Sequence, residues 1–545
     1  MSMNSRHGLR LMAAIFISSA FLGQSAYAAN HSGDKDKLGT VQFPTSCNSD
    51  SQPKLEKGLA LLHHMTYVGA QATFEEVIKS DPDCAMAYWG VAMSMIHPLW
   101  SDPPDEDEFA KGQAMLELAA SKGEKTPREL AYIAAVESYY AQGRNTKEAA
   151  NLTAFEQGWK KVMESFPDDP EATAFYALAH LATASPDDKS YVIQKKAGET
   201  AATVLEKIPE HPGGHHYIIH AYDYPELAPK ALDVARSYGD IAPSIPHALH
   251  MPTHIFTRLG LWPESITMNI RSAEAAKNHP AGDMLSLHYL HAFDYLAYSY
   301  LQQAQDAKAL EVVETIQGLD APIQPHVASA YTLAAVPARY ALERQQWSAA
   351  AEIVPKTPSS YPWDNYPAME AITHFANALG AARTGDKQGA EKSLKRLSEL
   401  KAQAEESSAY WAKQVEIQRL SALAWHQFHQ GEREQALQTM QSAADLEATT
   451  EKHPVTPGEI IPARELLADM LWEMEMYQQA LDEYVIALIR SKNRFNSLYG
   501  AARSAEMAGD KDKAGQYYQM LIDVAGEGDA DRMRLKQAKE FIAAK

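Results

Sequence analysis

One spacing recurs along this chain and narrows its possible folds more than any other feature: a period of 34. Ala480 and Tyr484 return as Ala514 and Tyr518, and Ala468 returns as Ala502. Near the other end Ala70, Phe74 and Pro82 form an A-x₃-F-x₇-P pattern, and Ala231 and Pro243 keep the spacing of its first and last members. Pro212, Pro246 and Pro280 repeat with the same period and mark three successive helix starts. Apolar residues follow a helical period over 54–68, 70–79, 85–95, 128–140, 171–184 and onwards to Ala530, broken by turns such as Asp81-Pro82-Asp83 and Glu210-His211-Pro212-Gly213. No stretch alternates convincingly with a period of two, so the chain is predicted to be nearly all α. A two-helix unit of this length buries its apolar face by stacking on its neighbours. Small residues let paired helices approach closely, the aromatic fills the gap between pairs, and proline opens the next helix, where its missing N–H is harmless.

This pattern resembles the tetratricopeptide repeat (TPR) family, whose unit is a helix–turn–helix of the same length. The resemblance implies an all-α, right-handed superhelical solenoid of antiparallel helix pairs (TPR-like), with inserted loops. It covers most of the chain unevenly. Lys492 stands where Pro is usual and Ser265 where Ala is usual, and extra residues at 98–108, 321–325, 355–367 and 453–462 lengthen some units. The expected organisation is N-terminal repeats over 29–190, histidine-rich repeats forming a concave groove over 191–316, divergent helical repeats over 317–458 and C-terminal repeats over 459–545. Cys84-Ala85-Met86-Ala87-Tyr88-Trp89-Gly90 and His250-Met251-Pro252-Thr253-His254 are similar to phrases in a group of exported bacterial TPR proteins. That likeness implies export and no particular activity.

Residues 1–28 read as a signal peptide. Arg6 and Arg10 precede the apolar run Leu11–Gly23, and Ala26-x-Ala28 fits a cleavage site. The run is too short to span a bilayer, and no later stretch is long enough. The separated arginines suit a Sec-type route. The expectation is an exported chain, periplasmic or secreted, cleaved near Ala28 and without a membrane span in the mature protein. In an oxidising compartment Cys47 and Cys84 can pair; the alternative is two separate buried thiols. With 70 Asp+Glu against 50 Lys+Arg, a formal charge of −20 excludes nucleic acid as a main partner. The sequence has no phosphate-binding glycine loop, G-x-S-x-G elbow or supported Cys/His pair, which disfavours a nucleotide enzyme or covalent hydrolase.

Ten of the 21 histidines lie between His211 and His291. In the register of the three prolines His216 aligns with His250, and His220 with His254 and His288. His216/His220, His250/His254 and His288/His291 each share a helix face. Counted from each proline these are positions 5, 9 and 12, which in the TPR family line the concave groove and contact the ligand. First helices of neighbouring units pack roughly 8–10 Å apart, so a same-helix pair and one histidine from the next helix can meet at one ion. The candidate sets are His216 and His220 with His250 or His254, or His250 and His254 with His288, with His291 a further ligand. Three imidazoles with an open position suit Zn, Cu or Fe. Tyr217, Asp223, His247, Arg258, Asp294 and Tyr295 are candidates to surround the ion. Pro252 kinks or delays its helix, which makes His247 the weaker candidate and His254 the firmer one.

His63, His64, His97, His180, His426 and His429 read as ordinary core or surface residues. Tyr88, Trp89, Trp100, Tyr139 and Tyr140 read as packing between units. Three functions stay open: a groove whose histidines hold a divalent transition metal, a metal-free scaffold for protein or peptide in the cell envelope, and a metalloenzyme of unknown reaction. The partner would be a peptide, protein or small-molecule ligand in the groove.

Overall fold

The computed structural model describes residues 37–100, 102–185, 188–529 and 531–544, so the signal-peptide expectation for 1–28 lies outside the described residues. Helix follows helix from Gln52–His63 to Met533–Ala544, and the described residues contain no strand, only isolated bridges at Ala281/Met284 and Leu285/Ile323. The architecture is all-α, a TPR-like solenoid of antiparallel pairs in which consecutive helices pack on one another. No helix among the described residues is long and apolar enough to cross a membrane.

Local sequence sets the helix ends. Asp105 with Glu108 and Thr126 with Glu129 form reciprocal capping boxes at the helices Glu106–Ser121 and Pro127–Tyr140. Pro212 and Pro246 open their helices as the period predicts. Pro280 does not. Ala281 and Met284 exchange backbone hydrogen bonds there, Leu285 pairs with the 322–324 segment, and the helix Leu287–Gln302 starts later than the proline register implies. Pro252 divides the preceding unit into Pro246–His250 and Pro252–Leu259, with Met251 as the hinge.

Between pairs, the aromatic wedge takes a defined form. The Phe74 ring lies between Gly58 and Gly90, where an added Cβ would come within 2.7 and 2.5 Å of it. Tyr484 lies against Gly500 in the same way. The N-terminal segment crosses several units: Gln42 N–H donates to Glu171 Oε1, and Cys47 is disulfide-bonded to Cys84 at the start of the helix Ala85–Met93.

Residues 37–545 form one compact unit. Contacts between segments distant in sequence hold it together. Trp262 Nε1 donates to the Asn493 carbonyl at 3.0 Å, Arg532 pairs with Asp306, and Lys452 pairs with Asp223 at 2.8 Å. The segment 450–462 packs against the helices Leu287–Gln302 and Val327–Glu343, where Arg339 donates to the Glu459 and Gly458 carbonyls and Tyr295 to the Thr456 carbonyl.

Candidate metal centre

Counted from the helix starts themselves, the histidines fall into a new register. His216, His250 and His291 each occupy the fifth position of their helix, and His220, His254 and Tyr295 the ninth. His247 and His288 share the second position. The corresponding residue of the first helix is Gly213, where a Cβ would stand 2.6 Å from His63 Nδ1, so no side chain fits there.

Two groups of three imidazoles result: His216, His220 and His247, and His250, His254 and His291. Within each group one nitrogen per ring lies within 4.8 Å of the others. Neither matches the expected combinations. His247, the weaker candidate because of the proline break, completes the first group instead of His250 or His254. The break falls after His250, so the turn carrying His247 keeps its helical direction. His291 replaces His288 in the second group because the helix starts at Leu287 rather than beside Pro280. His288 turns instead toward His247 and Trp100, with ring centroids 5.5 and 6.1 Å away.

In the first group His216 Nε2 is 3.1 Å from both His220 Nε2 and His247 Nε2. His216 Nδ1 is 2.7 Å from the His63 carbonyl, which can only accept, so Nδ1 carries the proton and Nε2 a lone pair. One in-plane lone pair satisfies one N–H, yet two ring nitrogens converge on it. Nitrogens bound at about 2.0–2.1 Å around a tetrahedral ion stand roughly 3.3–3.4 Å apart, close to these separations.

The second group is fixed in the same way. His250 Nδ1 donates to Asn269 Oδ1 at 2.8 Å, and the amide is held in that sense because its NH₂ donates to the Ser265 carbonyl at 2.8 Å. His254 Nδ1 donates to Asp223 Oδ2 at 2.9 Å, the carboxylate–histidine arrangement that orients metal ligands. These two rings therefore present Nε2 as a lone pair. His250 Nε2, His291 Nδ1 and His247 Nδ1 are buried without a hydrogen-bond partner. A buried polar atom left unpaired costs about 1–3 kcal/mol, and two of them, His250 Nε2 and His291 Nδ1, fall in one triad, which calls for a ligand there.

Electrostatics favour the neutral, metal-binding form of these rings. Burial, reinforced by neighbouring histidines, lowers His216, His247, His250 and His291 well below their ordinary value and brings His220 to about 3. Burial also lowers His254, against the pull of Asp223. Asp223 itself stays well below the usual carboxylate range: its burial acts the other way, but Lys452, Arg258 and His254 together outweigh it.

The remaining candidates divide. Arg258 Nε is 2.9 Å from Asp223 Oδ1, and Tyr295 lies against His250 with centroids 4.5 Å apart. Tyr217 points away from the two groups: its hydroxyl donates to His63 Nδ1 at 2.9 Å. Asp294 serves Arg339, 3.3 Å away, rather than any histidine, and burial pushes its carboxyl up to about 6. Those two are corrections: each side chain is spent on a partner outside the two groups, Tyr217 on His63 and Asp294 on Arg339. Sequence reasoning missed Asn269, Lys452, His326 and His453. A cavity of about 60 Å³ is lined by His220, His247, His254, His288, His291, His326 and His453 with Trp100. The extra lining comes partly from the insertions at 98–108 and 453–462, which the sequence marked as irregular without showing that they turn inward.

Two other groupings are closed. His63 Nε2 and His211 Nε2 both donate to Glu171 Oε2, at 2.8 and 3.1 Å, while Tyr217 and the Gly214 N–H occupy their other nitrogens. Every ring nitrogen there has a partner, which makes it a core network. Near Asp81, both cysteine sulfurs are committed to the disulfide.

No family model matches the chain. No curated protein matches it either. Among solved structures, human IFIT1 as a dimer with m7Gppp-AAAA is 14% identical with a TM-score of 0.34, covering 88% of this chain and 96% of that one. An IFIT1 monomeric mutant with Gppp-AAAA gives 14% identity over the same shares and a TM-score of 0.39. Likeness at this level carries no argument about this chain. Its own fold and site define a helical-repeat protein with a buried histidine centre.

Proposed function

We propose that this chain is an exported TPR-like protein whose repeats position histidines to hold a transition metal, zinc, copper or iron. The observation that carries this reading is the set of fixed tautomers: His216, His250 and His254 each give their Nδ1 proton to an outer acceptor and turn an Nε2 lone pair inward. Three imidazoles per ion leave a coordination position open, which suits a catalytic or ligand-exchanging centre better than a closed structural one. The residues that would hold metal are His216, His220, His247, His250, His254 and His291, with Asp223, Asn269 and the His63 carbonyl behind them. Export is supported by the pattern of residues 1–28 and by the Cys47–Cys84 disulfide, which suits an oxidising compartment. Its ligand is a small species reaching the cavity. A peptide laid along the groove would compete with the chain's own segment 450–462.

Elemental analysis of untagged protein purified without chelator tests the metal. The wild type is expected to carry it and a His220→Ala/His254→Ala variant to lose it. Equal, sub-stoichiometric metal in both would overturn the reading.

A further inference from the structure

We infer that the centre takes two ions of copper or zinc, one per histidine triad, sharing a single ligand cavity. This rests on the metal-binding reading above and deepens it. Each triad has its own focus and its own outer supports: the His63 carbonyl fixes the first, Asn269 and Asp223 the second. Within the first triad His216 stands 4.8 Å from His220 and 4.9 Å from His247, centroid to centroid. In the second, His250 stands 5.0 Å from His254 and 4.1 Å from His291. Imidazoles on one tetrahedral ion have centroids roughly 5 Å apart, from bonds of about 2.0–2.1 Å, and two sides of each set are close to that. The third side is longer, 6.4 Å from His220 to His247 and 6.3 Å from His254 to His291, so each set has one nitrogen per ring within 4.8 Å of the others and closes further when it takes an ion.

The two foci are adjacent. His220 of the first triad and His254 of the second are 6.3 Å apart, and both triads contribute to the wall of the same cavity. Its volume of about 60 Å³ holds a few waters. A small species in that cavity could reach the open position on either ion, and an anion such as hydroxide would balance their charge. That charge is needed: the six proposed ligands are all neutral imidazoles, and Asp223 is already engaged by Arg258 and Lys452.

His220 and His291 give the cleanest variants. His220 hydrogen-bonds within its own triad, and His291 Nδ1 has no partner, so truncating either breaks no outer support. The full chain, stripped and loaded separately with Zn(II) alone and with Cu(II) alone, is passed over a desalting column and analysed for bound metal, with circular dichroism confirming the fold. Two ions per chain in the wild type, one in His220→Ala, one in His291→Ala and none in the double variant is the expected result for at least one metal. One ion in the wild type, lost in both single variants, would overturn the pair while leaving a metal site. No ion in the wild type with either metal would overturn both.

Discussion

Asn269 shows how a single residue sets the chemistry of a neighbour. Its amide oxygen faces His250 only because its NH₂ is spent on Ser265, and Ser265 stands where the repeat pattern favours alanine. That acceptor is a backbone carbonyl, which alanine would offer equally; the serine hydroxyl adds only a longer contact, at 3.4 Å. Asn269→Leu keeps the volume and removes the acceptor. It is expected to weaken zinc binding about 10–100-fold with little change in fold; calorimetric titration giving wild-type affinity would reject the role. His64 offers a second residue-scale test, away from the proposed ligands. Its Nε2 lies 3.0 Å from the Leu38 carbonyl and Nδ1 2.9 Å from the Tyr238 hydroxyl, and burial lowers it from the ordinary value of 6.5 to about 3. The unfolded chain takes up a proton as pH falls below 6.5 while the folded ring stays neutral until near 3. Folded stability from this group is thus complete at neutral pH and falls by about 1.4 kcal/mol per pH unit through that window. In metal-free protein, His64→Gln should flatten the urea midpoint between pH 6 and 4 by roughly one proton's worth. An unchanged pH profile would show that His64 does not titrate as described.

Elements were legible where periodicity is a packing rule. The spacing of Phe74 and Tyr484 marks aromatic wedges, and each ring lies on a glycine at the same remove along the chain, Gly90 and Gly500. Gly90→Ala would push a methyl group into the Phe74 ring, with an expected loss of about 1–3 kcal/mol by urea denaturation. A neutral result would mean that the wedge is looser than the 2.5 Å approach implies. The site was legible in its residue types and its helices, because histidines spaced by a helical turn on successive units must share a face. It was not legible in its exact partners. Pro280 imitates a helix start, but the backbone beyond it closes a short turn first, and that shift exchanges His288 for His291. No local signal measures such a delay. Asn269 and Lys452 were hidden for another reason: one lies on the second helix of a pair, the other just before the insertion at 453–462, outside the repeat register.

At the scale of the molecule, the array departs from a one-dimensional stack. In a simple solenoid each unit contacts only its neighbours, so stability is a sum of local terms and the ends fray independently. Here Arg494, fully buried, joins Glu343 and Glu465 at 2.7 Å each, and its neighbour Asn493 accepts from Trp262. The C-terminal units are thus pinned to the units beside the histidines, and Lys452 ties the insertion to Asp223. Replacing Arg494 with methionine removes the cation and leaves two buried carboxylates facing each other, a change expected to cost about 3–5 kcal/mol. If the closure couples the whole array, Arg494→Met should lower one common unfolding midpoint. Hydrogen exchange would then quicken even in the helix Glu148–Ser165, far from the substitution in sequence. Exchange that quickens only in the C-terminal helices, with an early separate transition, would show that the units behave as a linear stack and that these contacts join surfaces without joining their stabilities.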